Sequence, residues 1–187
     1  MISEKEIAGI IDALGAVTLG EIKEIVHEIE FLNEDTNTPS EEIERLCAKA
    51  KSKHWAEIIT HKEIEGISPE DLQNPDEEYF ILGADAFPEY PPKLSEALDI
   101  LKLHKRELDR EKIIHRFARR LKMKIKHLSN KINESQKDGK ALKKLDKQYS
   151  DLLNLYYDYD SWIPEAFSEL EDDVLKLAEK LESLKKA

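Results

Sequence analysis

WAEIIT at Trp55–Thr60 and YFIL at Tyr79–Leu82 mark the place where this chain changes period. Both runs are short and rich in β-branched and aromatic residues, and Gly83 ends the second, so each reads as a strand. Between them Gly66, Pro69 and Pro75 stand among polar and acidic residues and read as a loop. The two strands form a hairpin with a long, ragged tip. Everything upstream has helical spacing. Ile7, Ile10, Ile11 and Leu14 share one face of a helix over Ser3–Leu14, which Ser3 and Glu6 start as a capping box and Gly15 stops. Thr18 and Glu21 form a second box, followed by Leu19, Ile22, Ile25, Val26, Ile29, Phe31 and Leu32. Asn33–Asn37 is polar and reads as a loop. Pro39 and Ser40 open a third helix with Ile43, Leu46, Cys47 and Ala50 on one face. Three helices and then a hairpin is the element order of a winged-helix-like domain, here residues 1–86.

Downstream, Phe87–Pro92 reads FPEYPP, where Pro88, Pro91 and Pro92 forbid a helix. With a short helix over Lys93–Leu103 it makes a proline-rich strap over residues 87–104, which Phe87 and Tyr90 are expected to pack down. Residues 105–187 are helical. Asp109 can open a long helix carrying Ile113, Phe117, Leu121, Ile125, Leu128 and Ile132. Lys137-Asp138-Gly139-Lys140 is a turn. A second helix carries Leu145, Tyr149, Leu152, Tyr156 and Tyr159. Asp160 or Ser161 caps a third, with Pro164 in its first turn. Its apolar residues Ile163, Phe167, Leu170, Val174, Leu177, Leu181 and Leu184 alternate steps of four and three, a heptad seam that must be buried. The expected fold is mainly α: a winged-helix-like domain followed by a helical hairpin or three-helix coiled-coil bundle.

Charge is sorted along the chain. Residues 1–100 carry 8 Lys+Arg against 24 Asp+Glu, residues 101–147 carry 17 against 6, and residues 148–187 carry 4 against 10. A basic block in an acidic protein calls for a partner: nucleic acid, another protein, or the acidic ends of the same chain. Lys105, Lys112, Arg119 and Lys126 recur every seven residues, with Arg116 beside them. On one helix they form a row opposite the apolar stripe, drifting about 20° per step. The row either tracks phosphates or an acidic partner, or it is a solvated face, or it pairs with Asp160, Glu165, Glu169, Asp172 and Asp173 on the last helix. Charge rows on long helices favour the internal pairing. The third helix, the reader of a winged helix, carries Arg45, Lys49, Lys51 and Lys53 but starts with Glu41, Glu42 and Glu44. The hairpin tip holds Glu63, Glu65, Glu70, Asp71, Asp76, Glu77 and Glu78 against Lys62, which a phosphate backbone would repel.

Catalytic patterns are missing from the sequence. One cysteine, Cys47, excludes an intrachain disulfide and a four-cysteine zinc site, and its place on an apolar face suits an inert thiol. The six histidines form no HExxH motif; Glu111 and His115 are four apart and read as a surface ion pair. There is no phosphate-binding glycine loop and no nucleophile elbow. Tyr156, Tyr157, Tyr159 and Trp162 could stack bases, but Asp158 and Asp160 flank them and core packing suits them better. No cofactor, metal or catalytic residue is expected. No run reaches the about 18 apolar residues of a membrane span. With no apolar leader after a basic start, a cytoplasmic protein is expected.

Ala13–Thr18 (ALGAVT) with Leu19-Gly20-Glu21-Ile22, then Gly83-Ala84-Asp85-Ala86-Phe87-Pro88 with Pro91-Pro92, then Asp109-Arg110-Glu111, carry a likeness. In that order they resemble an uncharacterised archaeal family, known chiefly from haloarchaea and related euryarchaea, over residues 3–112. The resemblance implies a winged-helix-like look and brings no functional residues; the extension after residue 112 departs from it. The expected role is a non-enzymatic interaction or regulatory protein. Its helical tail would bind a protein partner or pair two copies as a dimer. The alternative is a DNA-binding regulator, with the third helix in the groove and the basic helix on the backbone.

Overall fold

A computed structural model describes residues 2–135 and 139–186, in two units: Met1–Arg110 and Glu111–Ala187. The turn expected at residues 137–140 falls partly outside the described residues, because 137 and 138 are not among them.

The first unit begins with α1 (Glu4–Leu14), whose capping box is made as expected: the Glu6 amide donates to Ser3 Oγ at 3.2 Å and the Ser3 amide to Glu6 Oε2 at 2.8 Å. Gly15 turns the chain at φ +71°, a left-handed conformation that glycine adopts without strain. A Cβ there would also fall 2.3 Å from the Arg106 carbonyl oxygen. Next come β1 (Ala16–Thr18), α2 (Leu19–Leu32), α3 (Ser40–Ser52), β2 (Ala56–Ile59), β3 (Tyr79–Leu82) and α4 (Leu94–Leu101). β3 lies centrally, antiparallel to both neighbours in the order β1-β3-β2, so that Phe80 faces Val17 on one side and Ile58 on the other. The apolar stripes of α1, α2 and α3 close over the sheet. Ile7, Ile10, Ile11, Ile22, Ile25, Val26 and Ile43 are fully buried together with Val17.

The sheet has three strands where the sequence predicts a two-stranded hairpin. The missing strand, β1, is three residues long and sits between two capped helices, too short to show alternation. The hairpin tip is also less free than its polar sequence suggests. His61–Glu63 forms a 3₁₀ turn, and Ile64 bridges to Leu108. The Glu65 amide donates to the Glu107 carbonyl at 2.9 Å, and the Asp109 amide to the Glu63 carbonyl at 2.9 Å. These bonds bury His61, Glu63 and Ile64.

The strap is extended, as its prolines require, but its aromatics do not anchor it. Phe87 and Tyr90 are 68% and 61% exposed. The Phe87 ring meets Trp55 edge-on at 6.4 Å, and the Tyr90 hydroxyl donates to Asp12. The anchor is backbone: the Glu89 amide donates to the Lys5 carbonyl at 3.0 Å. Gly9 makes room for it, since a Cβ there would fall 2.1 Å from the Glu89 carbonyl oxygen. Gly9→Ala should therefore cost about 1–3 kcal/mol, the usual overpacking penalty, despite alanine's better helix propensity. An unchanged urea midpoint for Gly9→Ala would show that the strap yields without cost.

The second unit comprises α5 (Arg110–Glu134, whose first residue closes the first unit), α6 (Gly139–Trp162) and α7 (Glu171–Lys186). α5 begins at Arg110, one residue after the expected opener. The third helix does not start at Asp160 or Ser161. α6 runs on to Trp162, Pro164 lies in the turn that follows, and Ser168–Leu170 is a 3₁₀ turn. The seam is nonetheless buried from Ile163 through Phe167, Leu170, Val174, Leu177 and Leu181, with Leu184 half-buried. Burial follows the apolar residues whether a turn or a helix presents them. Phe117 is the hub of this core, with ring centroids 5.3 Å from both Tyr159 and Trp162. Tyr156 and Tyr159 are buried while Tyr157 is exposed, so core packing claims most of the aromatic group.

Candidate partner-binding surface

Carboxylates engage three of the four basic residues on α3 and its C-cap. Arg45 forms a two-pronged contact with Glu42, at 2.8 and 2.6 Å. Lys49 Nζ lies 2.6 Å from Glu4, and Lys53 binds the other oxygen of the same carboxylate. The Lys49 and Lys53 hydrogen bonds hold the Glu4 carboxyl below its usual range. The Lys53 ammonium also sits 4.8 Å from the Trp55 ring centre. Lys51 is exposed. Glu44, nearby, takes Lys23 at 2.5 Å.

The row of sevens is broken at its first member. Lys105 lies before α5, in the segment that Arg106 fastens down: the Arg106 amide donates to the Leu14 carbonyl at 2.8 Å. Lys112, Arg119 and Lys126 do stand on α5, exposed and opposite its buried stripe of Ile113, Phe117, Leu121 and Ile125, and Arg116 is half-buried beside them. Asp173, one of the carboxylates expected to meet the row, is engaged within its own helix. It pairs with Lys176 at 3.7 Å. Among the described residues, Lys105, Arg119 and Lys126 form no ion pair, and neither do Lys122 and Lys124. Side chains on neighbouring turns of α5 are cationic too, so the surface is a field of like charge. Its helix carries nine Lys+Arg against two Glu.

Three cations that the seven-residue spacing does not select complete this surface. Lys122 and Lys126 on α5 face Lys176 and Lys180 on α7 across a groove of about 260 Å³ that Ser129 and Asn130 also line. Lys180 Nζ donates to Ser129 Oγ at 2.9 Å, bridging α7 to α5. Their signal in the sequence is the i, i+4 spacing of 122/126 and 176/180, visible only once the two helices are known to be neighbours.

No group of three or more metal-ligating side chains occurs among the described residues. Glu111 and His115 are both exposed and make no ion pair there, which removes the expected surface pair. Burial pushes the Cys47 thiol up to about 12, so it stays protonated and unreactive. No helix among the described residues is long and apolar enough to cross a membrane.

Residues 5–179 match a protein family described as a family of unknown function (DUF7109). The chain belongs to this family. The match takes in α5, α6 and much of α7, so the helical extension after residue 112 is part of the family's span and not a departure from it. No curated protein and no solved structure matches the chain.

Proposed function

We propose that the chain is a non-enzymatic interaction protein that engages an acidic partner through the outward face of α5. The observation that carries this reading is the unneutralised charge of Arg119, Lys122 and Lys126, in a protein whose other cations commonly sit against carboxylates. A winged-helix-like character for the first unit is part of the proposal. Its support is the order α1-β1-α2-α3-β2-β3 with β1 beside β3. A regulator that reads DNA with α3 is the second reading. It is less favoured because Glu4 and Glu42 already hold Lys49, Lys53 and Arg45, and a phosphate would have to displace them.

The test uses two labelled acidic probes, a polyglutamate peptide and a short DNA duplex, titrated with the full chain at low salt. At least one should bind, and Arg119→Gln/Lys122→Gln/Lys126→Gln should weaken it at least tenfold with unchanged far-UV circular dichroism. These positions are exposed on a helix that tolerates glutamine, so folding should survive. Failure of both probes to bind at low salt would sink the reading.

A further inference from the structure

The groove between α5 and α7 has a chemistry that selects among acidic partners. Lys122 and Lys126 form one wall and Lys176 and Lys180 the other, each pair one helical turn apart. Lys176 and Lys180 also line the adjoining depression, with Ile132, Asn133 and Ser183. The two depressions therefore run on along the α5–α7 seam. From Lys122 to Asn133 this is eleven residues of α5, or about 16 Å at 1.5 Å per residue. A channel that long and open at its surface suits a polymer better than a small anion. Its neutral groups, the Ser129 hydroxyl and the amides of Asn130 and Asn133, add hydrogen-bonding capacity between the charges.

We infer that this seam is a sequence-independent site for the phosphate backbone of nucleic acid, which rests on the reading of α5 as the contact surface. Protein interfaces concentrate aromatic residues and arginine at their centres and are depleted in lysine. This groove has the opposite composition: four lysines, no arginine and no aromatic ring. Lysine binds phosphate as a mobile point charge. The lack of a ring removes the stacking platform by which single strands are held through their bases, so the contact is to backbone alone. Two carboxylates border the seam. Asp173 meets Lys176 only at 3.7 Å, in an exposed, weak pair that a phosphate can displace, unlike the close Glu4 pairs of Lys49 and Lys53. Glu179 lies toward the far end. The first unit carries 12 Lys+Arg against 26 Asp+Glu and repels polyanions, which confines contact to the seam and keeps affinity modest.

Fluorescence anisotropy of the full chain with labelled duplexes tests this. Two duplexes of unrelated sequence should bind with similar affinity. With four lysines engaged, log K should fall against log salt with a slope of about −3.6, at −0.9 per phosphate. Lys176→Gln/Lys180→Gln should flatten that slope by about 1.8. Lys122→Gln/Lys126→Gln, from the opposite wall, should do the same, and both variants should keep wild-type circular dichroism. Duplex binding with an unchanged slope in Lys176→Gln/Lys180→Gln overturns the seam as the site. Polyglutamate bound through Arg119, Lys122 and Lys126 with no duplex binding overturns the phosphate assignment while leaving the broader reading standing. Silence from both probes overturns both.

Discussion

Leu177→Asp should unfold the second unit and leave the first one folded. Leu177 is 2% exposed, within the seam that runs from Ile163 to Leu181. Truncating a buried leucine costs about 2–5 kcal/mol, and a buried carboxylate without a partner adds to it. A unit of this size is stable by roughly 4–12 kcal/mol at 0.05–0.15 kcal/mol per residue, so the change removes most or all of it. The two tryptophans separate the outcomes. Trp55 belongs to the first unit, and Trp162 packs on Phe117 in the second. With Trp55→Phe in the background, emission reports the second unit alone. It should shift to the red in Leu177→Asp, and helicity should fall by the share of α5, α6 and α7. A native Trp162 spectrum and a wild-type melting temperature would show that the seam is not a core.

Arg106→Met should destabilise the first unit by about 2 kcal/mol, less than the cost of stranding one member of a fully buried ion pair because both side chains are only part-buried. Arg106 grips Glu21 with both prongs, at 2.9 and 2.6 Å, and donates to the Ala16 carbonyl at 2.8 Å. Its guanidinium also lies 5.4 Å from the Tyr79 ring centre. One side chain thus ties the segment before α5 to the start of α2, to β1 and to β3. The melting temperature of this unit should drop on the order of 10 °C.

The same pair sets a pH signature. Burial pushes the Glu21 carboxyl up, but the Arg106 guanidinium and the Thr18 hydrogen bonds together hold it below its ordinary 4.5. A lowered folded pKa means that this stabilisation is complete above the unfolded value and is lost as pH falls through the folded one. The gap between wild type and Arg106→Met should therefore be widest near neutrality. It should narrow below about pH 4.5, because a protonated Glu21 needs no cation. A gap that stays constant from neutral to acid pH would show that the guanidinium acts through packing alone.

Much of the fold was legible along the chain. The boxes Ser3/Glu6 and Thr18/Glu21 start α1 and α2 where their hydroxyl and carboxylate spacing says, because capping is local and each partner lies three residues from the other. YFIL is the central strand, and the stripe on α5 is buried at each apolar residue that the periodicity selects. What escaped was set by distant residues. Nothing near Ala16–Thr18 announces a strand; it is one because β3 offers a free edge beside it. The break in the seam was misplaced and not hidden: Pro164 ends α6 at Trp162 and Glu165 turns the chain at φ +64°, where the spacing reads a helix start.

The candidate surface divides in the same way. Sequence alone fixes the charge of α5 and the face on which Lys112, Arg119 and Lys126 stand, since helical periodicity is a property of neighbours along the chain. It also assigns the extended character of the strap, which three prolines dictate through their own rings. Which charges remain available is a matter of tertiary packing. Lys49 and Lys53 are taken by Glu4, more than forty residues away, while Lys122 and Lys126 gain Lys176 and Lys180 as neighbours across a groove. Ion pairing depends on separation in space, and chain distance does not encode it. The sequence therefore specifies a basic helix, and the packing of α7 against it makes that helix one wall of a lysine-lined channel.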